Sequence, residues 1–136
     1  MALTHKPVFA QTPKTAVAVC ATAVTGLTGL SPTNTVQLMT AGAEGAIVTR
    51  LRAIPRATVT ATALYLFLSK DGTDKYLILT KLLPAVTVDS TSDNPSVDFD
   101  FSETEPLRLE AGDQLFVGIG VSVGGGIAFS TQFSDF

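Results

Sequence analysis

The sequence predicts an all-β fold, an antiparallel β-sandwich, from its period-two alternation, its regularly spaced turn residues and its shortage of helix formers. Val97, Phe99 and Phe101, for example, alternate with polar residues, as one face of a half-buried strand requires. Turn chemistry divides the chain into about nine or ten strand-length segments, which is typical of a sandwich or barrel. No window repeats apolar residues at helical spacing.

The strand segments are separated by recognisable breakers. Residues 25–32 contain two glycines and a proline, and residues 70–74 carry the Asp-Gly pair of a hairpin loop. Pro55 and Pro84 each interrupt a segment because proline cannot donate to a strand ladder. The expected strands cover residues 15–23, 34–40, 46–54, 58–69, 75–83, 86–88, 97–101, 107–109, 114–122 and 127–133.

The domain organisation expected from this pattern is an extended N-terminal arm at 1–14 followed by a single sandwich domain at 15–136. The arm carries Pro7 and Pro13, which resist both helix and central strand. A loosely docked terminus is one interpretation of the arm. The other is an arm that reaches a neighbouring subunit with Phe9 as its anchor.

The composition favours a protein that covers part of its surface in an assembly. The chain is 46% hydrophobic but only 15% charged, whereas soluble domains average about 25% charged residues. Its net charge of −3 does not suggest nucleic-acid binding, and the basic residues Arg50, Arg52 and Arg56 fit a solvated strand face. Residues 1–14 lack the apolar core of a signal peptide, and no run is long enough to span a membrane, so we expect the protein to be made and folded in a cytosol.

The chain offers little catalytic chemistry. His5 is the only histidine and Cys20 the only cysteine, so neither a Ser-His-Asp or Cys-His site nor a His-based metal site is expected. We therefore expect no enzyme activity, no cofactor and no small-molecule substrate. The acidic stretch 89–105 leaves a calcium site open as an alternative, although Asp98 and Asp100 have the spacing of a solvated strand face.

The hairpin formed by residues 58–69 and 75–83 has apolar side chains on both faces. Leu64 and Leu66 share one face, and Tyr65 and Phe67 share the other, because successive strand residues point in opposite directions. One face forms the core, and the other must also leave water. Either the chain's own segments cover it, or it is a subunit interface. We expect the interface, in a homo-oligomer and specifically a trimer, with these contact residues: Phe9, Tyr65, Phe67 and Tyr76.

Three segments resemble small jelly-roll virion proteins of tailed bacteriophages. Residues 107–117, LRLEAGDQLFV, resemble a late jelly-roll turn in which Gly112 adopts positive φ and Asp113 bonds nearby amides. Residues 33–45, TNTVQLMTAGAEG, and residues 61–68, ATALYLFL, resemble two further segments of that family. The resemblance extends from about residue 10 to residue 133.

The resemblance implies a capsid decoration protein with a jelly-roll fold, which binds an assembled head and stabilises it. Its partners would be further copies of itself and the major capsid protein or other virion proteins. It would bind neither nucleic acid nor a membrane. Its location would be the virion, which is assembled in the host cytoplasm. The alternative is a ligand- or receptor-binding jelly roll on a tail or fibre. Sugar sites usually present exposed aromatic side chains, and the chain has no Trp and only two Tyr, which disfavours this alternative. A cupin-like enzyme is disfavoured because cupins need histidine ligands.

Overall fold

The computed structural model describes residues 12–136, and these form a β-sandwich of nine strands. No helix occurs within this described part of the chain. The strands are β1 (Thr12–Cys20), β2 (Val36–Thr40), β3 (Ala46–Pro55), β4 (Thr62–Ser69), β5 (Lys75–Leu83), β6 (Val97–Asp98), β7 (Leu107–Leu109), β8 (Gln114–Ile119) and β9 (Ile127–Asp135).

The strands form two antiparallel sheets with jelly-roll connectivity, which confirms the predicted fold class. The first sheet has the order β1-β9-β3-β6, with β7 also paired to β3, and the second has the order β2-β8-β4-β5. The pairs are nested along the chain: β4–β5 is innermost, followed by β3–β6/β7, β2–β8 and finally β1–β9. This double Greek key encloses a core between the sheets.

Side chains from the facing surfaces of both sheets fill the core. Leu51 and Phe129 of the first sheet and Leu64, Leu66 and Leu115 of the second are all fully buried in one cluster. Within it, the Phe99 and Phe129 rings lie 6.2 Å apart in a tilted arrangement. The face of β4 that carries Leu64 and Leu66 is therefore the one that packs in the core.

Several boundaries differ from those expected. Strand β1 begins at Thr12, so residues 12–14 pair with β9, while residues 1–11 lie outside the described part and the division into arm and domain stays a prediction. The segment at 58–69 is paired to β5 only from Thr62, since Val59 instead forms a bridge with Val86. The segment at 97–101 is shortened to two residues because Asp100 adopts a φ of 66°, with its N–H donated to the Asp98 carboxylate.

A β-bulge in β5 also changes which of its residues share a face. Leu66 lies opposite Leu79 and Phe67 opposite Leu77, so Ile78 has no partner on β4. The alternation is thereby shifted by one residue. Leu77 and Leu82 consequently lie on the same face of the sheet, whereas an unbroken alternation placed them on opposite faces.

The two leucines Leu66 and Leu82 provide a matched test of this burial. We expect Leu66→Ala to lower the free energy of unfolding by about 2–5 kcal/mol, because it opens a cavity in a closed core. We expect Leu82→Ala to change it by less than about 0.5 kcal/mol, since Leu82 is 65% exposed. Urea unfolding of dilute samples measures both values, and similar losses for the two variants would contradict the assignment.

Candidate assembly surface

The outer face of the second sheet, which points away from the core, carries a second apolar cluster. Phe67 of β4 and Phe116 of β8 are paired across the sheet, and Tyr65 lies beside them with its ring centroid 6.2 Å from that of Phe67. Val24 and Leu27 pack on these rings from above. The hairpin therefore does have apolar side chains on both faces, as the alternation predicted.

Residues 21–35, here called the covering loop, hold this outer cluster away from water. The Val24 N–H donates to the Ile119 carbonyl at 2.8 Å, which fixes the loop against the end of β8. At Gly118 a Cβ atom would collide with the Val24 side chain, so glycine is what permits this close approach. At its far end, the loop accepts a 2.9 Å hydrogen bond from the Lys75 N–H at the Leu30 carbonyl.

The covering loop corrects the interface role expected for Phe67. Phe67 is only 1% exposed and so has no surface to present to another subunit. For the outer face of β4, the other alternative holds, because a segment of the same chain, the covering loop, covers this face. Tyr65 is half-buried and Tyr76 is 48% exposed, so contacts through them stay predictions. Phe9 lies outside the described residues.

Strand β5 meets the covering loop only at its first residue, Lys75, and is largely apolar and exposed beyond it. It is the edge strand of its sheet, paired only to β4 within the described chain. Its exposed large apolar side chains, here called the β5 strip, are Tyr76 (48%), Leu77 (41%), Ile78 (40%) and Leu82 (65%). An apolar edge strand of nine residues is a template for pairing with another chain.

The two lysines of β5 are both engaged by the rest of the chain. Edge strands are commonly protected by lysine side chains that extend into solvent and oppose pairing. Here the Lys75 ammonium lies 4.7 Å from the centre of the Phe116 ring, and the Lys81 ammonium bonds the Asp100 carboxylate. These contacts draw both charges back onto the molecule.

A charged contact holds the hairpin loop after β4 against the turn before β8. The Lys70 ammonium bonds the buried Asp113 carboxylate at 2.8 Å and lies 3.4 Å from Glu110. These hydrogen bonds raise the pKa of Lys70. Asp113 also accepts the Glu110 N–H at 2.9 Å, and Gly112 has a φ of 76°, so this turn has the backbone geometry that its sequence pattern implied.

Local bonds engage several carboxylates of the acidic stretch 89–105. Asp89 accepts bonds from the Thr91 N–H and the Ser92 hydroxyl, which lower its pKa. Asp98 lies 3.6 Å from the Arg52 guanidinium. No group of three potential metal ligands occurs among residues 12–136.

The outer face of the first sheet has a shallow polar groove where β1 begins. One part, of about 360 Å³, lies between Lys14 and Glu103, and an adjoining part of about 430 Å³ includes Arg50 and Asp98. Thr49, Glu103 and Gln132 line both parts. This groove was not anticipated, because its residues come from β1, β3, β6, β9 and the loop after β6, which only the fold brings together.

The described chain contains no helix that is long and apolar enough to cross a bilayer. Its cysteine, Cys20, is 1% exposed at the end of β1, and its thiol faces the Val117 carbonyl at 3.5 Å. Burial raises the pKa of the Cys20 thiol to about 12. Cys20 is therefore a small core side chain.

Comparison with known proteins identifies no family. No protein-family model and no curated protein matches the chain. Among solved structures, it is similar to a VP2 subviral particle of infectious bursal disease virus, with 13% identity and a TM-score of 0.38. The Gx strain of that virus gives 13% identity and a TM-score of 0.37, and the Gt strain 14% and 0.35.

These similarities extend over nearly all of this chain but a minor part of each matched chain. They cover 99% of this chain in all three structures. They cover 37% of the matched chain for the subviral particle and the Gx strain, and 36% for the Gt strain. The chain thus spans little more than a third of the length of the structures it resembles.

The Cys20 environment gives a direct test of native packing. At pH 8 we expect the folded protein to react with a thiol reagent at least a hundredfold more slowly than the urea-unfolded chain, because the thiolate is the reactive form. Absorbance of the released thiol chromophore measures both rates. Equal rates in the two states would show that β1 and β9 do not shield the thiol.

Proposed function

We propose that this chain is a virion structural protein, most specifically a decoration protein that binds an assembled capsid and reinforces it. The observation that carries the proposal is the β5 strip, which is apolar and exposed on a folded, charge-poor domain. Its partners would be further copies of itself and the major capsid protein or another virion protein. Its chemistry would be the burial of apolar surface between subunits.

Exposure of this apolar strip to water is unfavourable in free energy. Each buried Å² of apolar surface contributes about 25 cal/mol before the costs of association are subtracted. Scattered single apolar residues need no partner, but these four side chains all lie on β5, at the free edge of the described sheet. On a lattice, many copies bound weakly at once would gain by avidity.

The sequence resemblance supports the more specific role. The segments at 33–45 and 61–68 that resemble phage head proteins form β2 with its flanking turns and β4 with its entry. They lie in the sheet whose edge is β5. The homo-oligomer, which the sequence led us to expect as a trimer, and the contacts of Phe9, Tyr65 and Tyr76 belong to the same proposal.

The polar groove on the other sheet favours a second candidate, a ligand-binding module of a tail or fibre. Arg50, Glu103 and Gln132 supply donors and acceptors of the kind that orient a polar ligand. A glycan array tests this candidate. Binding that Arg50→Ala abolishes would favour it, while an array without hits would favour the decoration role.

The decoration role predicts that the protein is part of purified virus particles from its source. Mass spectrometry of those particles should find the chain in many copies each. Recombinant protein should rebind to stripped particles, and Leu82→Asp should reduce binding at least tenfold by placing a charge in the buried contact. Val17→Asp, at a 69% exposed position on the other sheet, is the matched control and should bind normally. Absence of the protein from intact particles would refute the role.

A further inference from the structure

We propose that two copies of the chain pair through β5 in antiparallel register, about a two-fold axis between Ile78 and Leu79. The inference rests on the proposed assembly function and specifies the contact between copies. The two second sheets would join into one continuous sheet of eight strands. The direction of the backbone groups along β5 carries the argument.

In the second half of β5, the backbone groups of alternate residues point away from β4. The Gly120 N–H donates to the Ala63 carbonyl at 2.9 Å, so the polar groups of Ala63 face β8. Leu82 lies opposite Ala63 and therefore directs its own N–H and carbonyl outward. Two residues earlier, Thr80 does the same.

In the first half of β5, the residues whose backbone N–H and carbonyl point away from β4, here called outward residues, have odd numbers. The Lys75 N–H donates to Leu30 of the covering loop, away from β4, so Lys75 is an outward residue. Leu77, two residues on, is the next one. The bulge at Ile78 accounts for the change from odd to even numbers. Leu77, Thr80 and Leu82 thus present backbone donors and acceptors at the free edge.

A single two-fold register matches the outward residues of both halves. It places Leu77 opposite the partner's Thr80, and Lys75 opposite the partner's Leu82. The Leu77–Thr80 pair then exchanges two hydrogen bonds, and symmetry repeats them on the other side of the axis. Because the Lys75 N–H already bonds Leu30, the full ladder ends at that pair, so the covering loop limits the length of the contact.

The side chains agree with this register. Lys81 lies opposite the partner's Tyr76 and Lys75 opposite the partner's Leu82, so no lysine opposes another lysine. Leu77 becomes a diagonal neighbour of the partner's Leu82 on the outer face, within reach for apolar contact. This self-complementarity is the reason to assign the edge to a second copy. An isologous contact closes at two copies, so this register predicts a dimer in place of the trimer expected from the sequence.

Disulfide trapping tests the register directly. In the proposed pair, Leu77 and the partner's Thr80 have Cα atoms about 5.5 Å apart, within the range of a disulfide. Two copies of Leu77, or two of Thr80, are offset by three residues, about 10 Å along the strand. An oxidised mixture of Leu77→Cys and Thr80→Cys should therefore cross-link at least tenfold more than either variant alone. Wild-type protein is the control, since Cys20 is buried.

Sedimentation of the unmodified chain separates failure of this register from failure of the assembly function. A concentration-dependent dimer together with the mixed cross-link supports the inference. Equal cross-linking of the single variants and the mixture, or a trimer without the mixed cross-link, would overturn the register while leaving assembly intact. A monomer throughout, in a protein absent from particles, would overturn both.

Discussion

The close approach of Val24 to Gly118 determines which part of the apolar outer face is buried under the covering loop and which part is exposed to solvent. A side chain at Gly118 would collide with Val24, so the covering loop reaches the sheet only because that position is bare. The loop then buries Phe67 and Phe116 and shields part of Tyr65. Beyond the bond from the Lys75 N–H to Leu30, the side chains of the β5 strip are 40% to 65% exposed. The contact between Val24 and Gly118 thus accompanies a buried outer cluster that lies beside an exposed edge strand.

This division connects the fold to the proposed assembly. In a jelly roll with this strand order, β5 is necessarily an edge, because its hairpin partner β4 lies between it and β8. The devices that normally protect an edge are weakened here, since Lys75 lies over Phe116 and Lys81 bonds Asp100. The bulge remains, and it selects among registers instead of preventing pairing altogether. The same features that stabilise one copy therefore specify how a second copy can bind.

Much of the sandwich follows from local sequence, whereas the coverage of its faces does not. Alternation separated the two faces of β4, and turn chemistry located the hairpin at 70–74 and the turn at Gly112, because both signals act over a few residues. The burial of Phe67 depends on a loop about forty residues earlier and on a glycine about fifty residues later. The bulge at Ile78 appears only in the pairing of β5 with β4, and the alternation gave no signal for the positive φ of Asp100. Alternation predicted that two faces leave water, but it could not say which segment covers each one.

Hydrogen exchange at the β5 edge tests the central claim most directly. Amide exchange should be measured by NMR at about 10 µM and about 1 mM protein, with the edge strand β1 as the internal reference. The account predicts that the amides of Leu77 and Thr80 become at least tenfold more protected at the higher concentration, while those of β1 do not change. Pairing through β5 would be contradicted if both amides exchanged fast at either concentration while the β4 amides stayed protected.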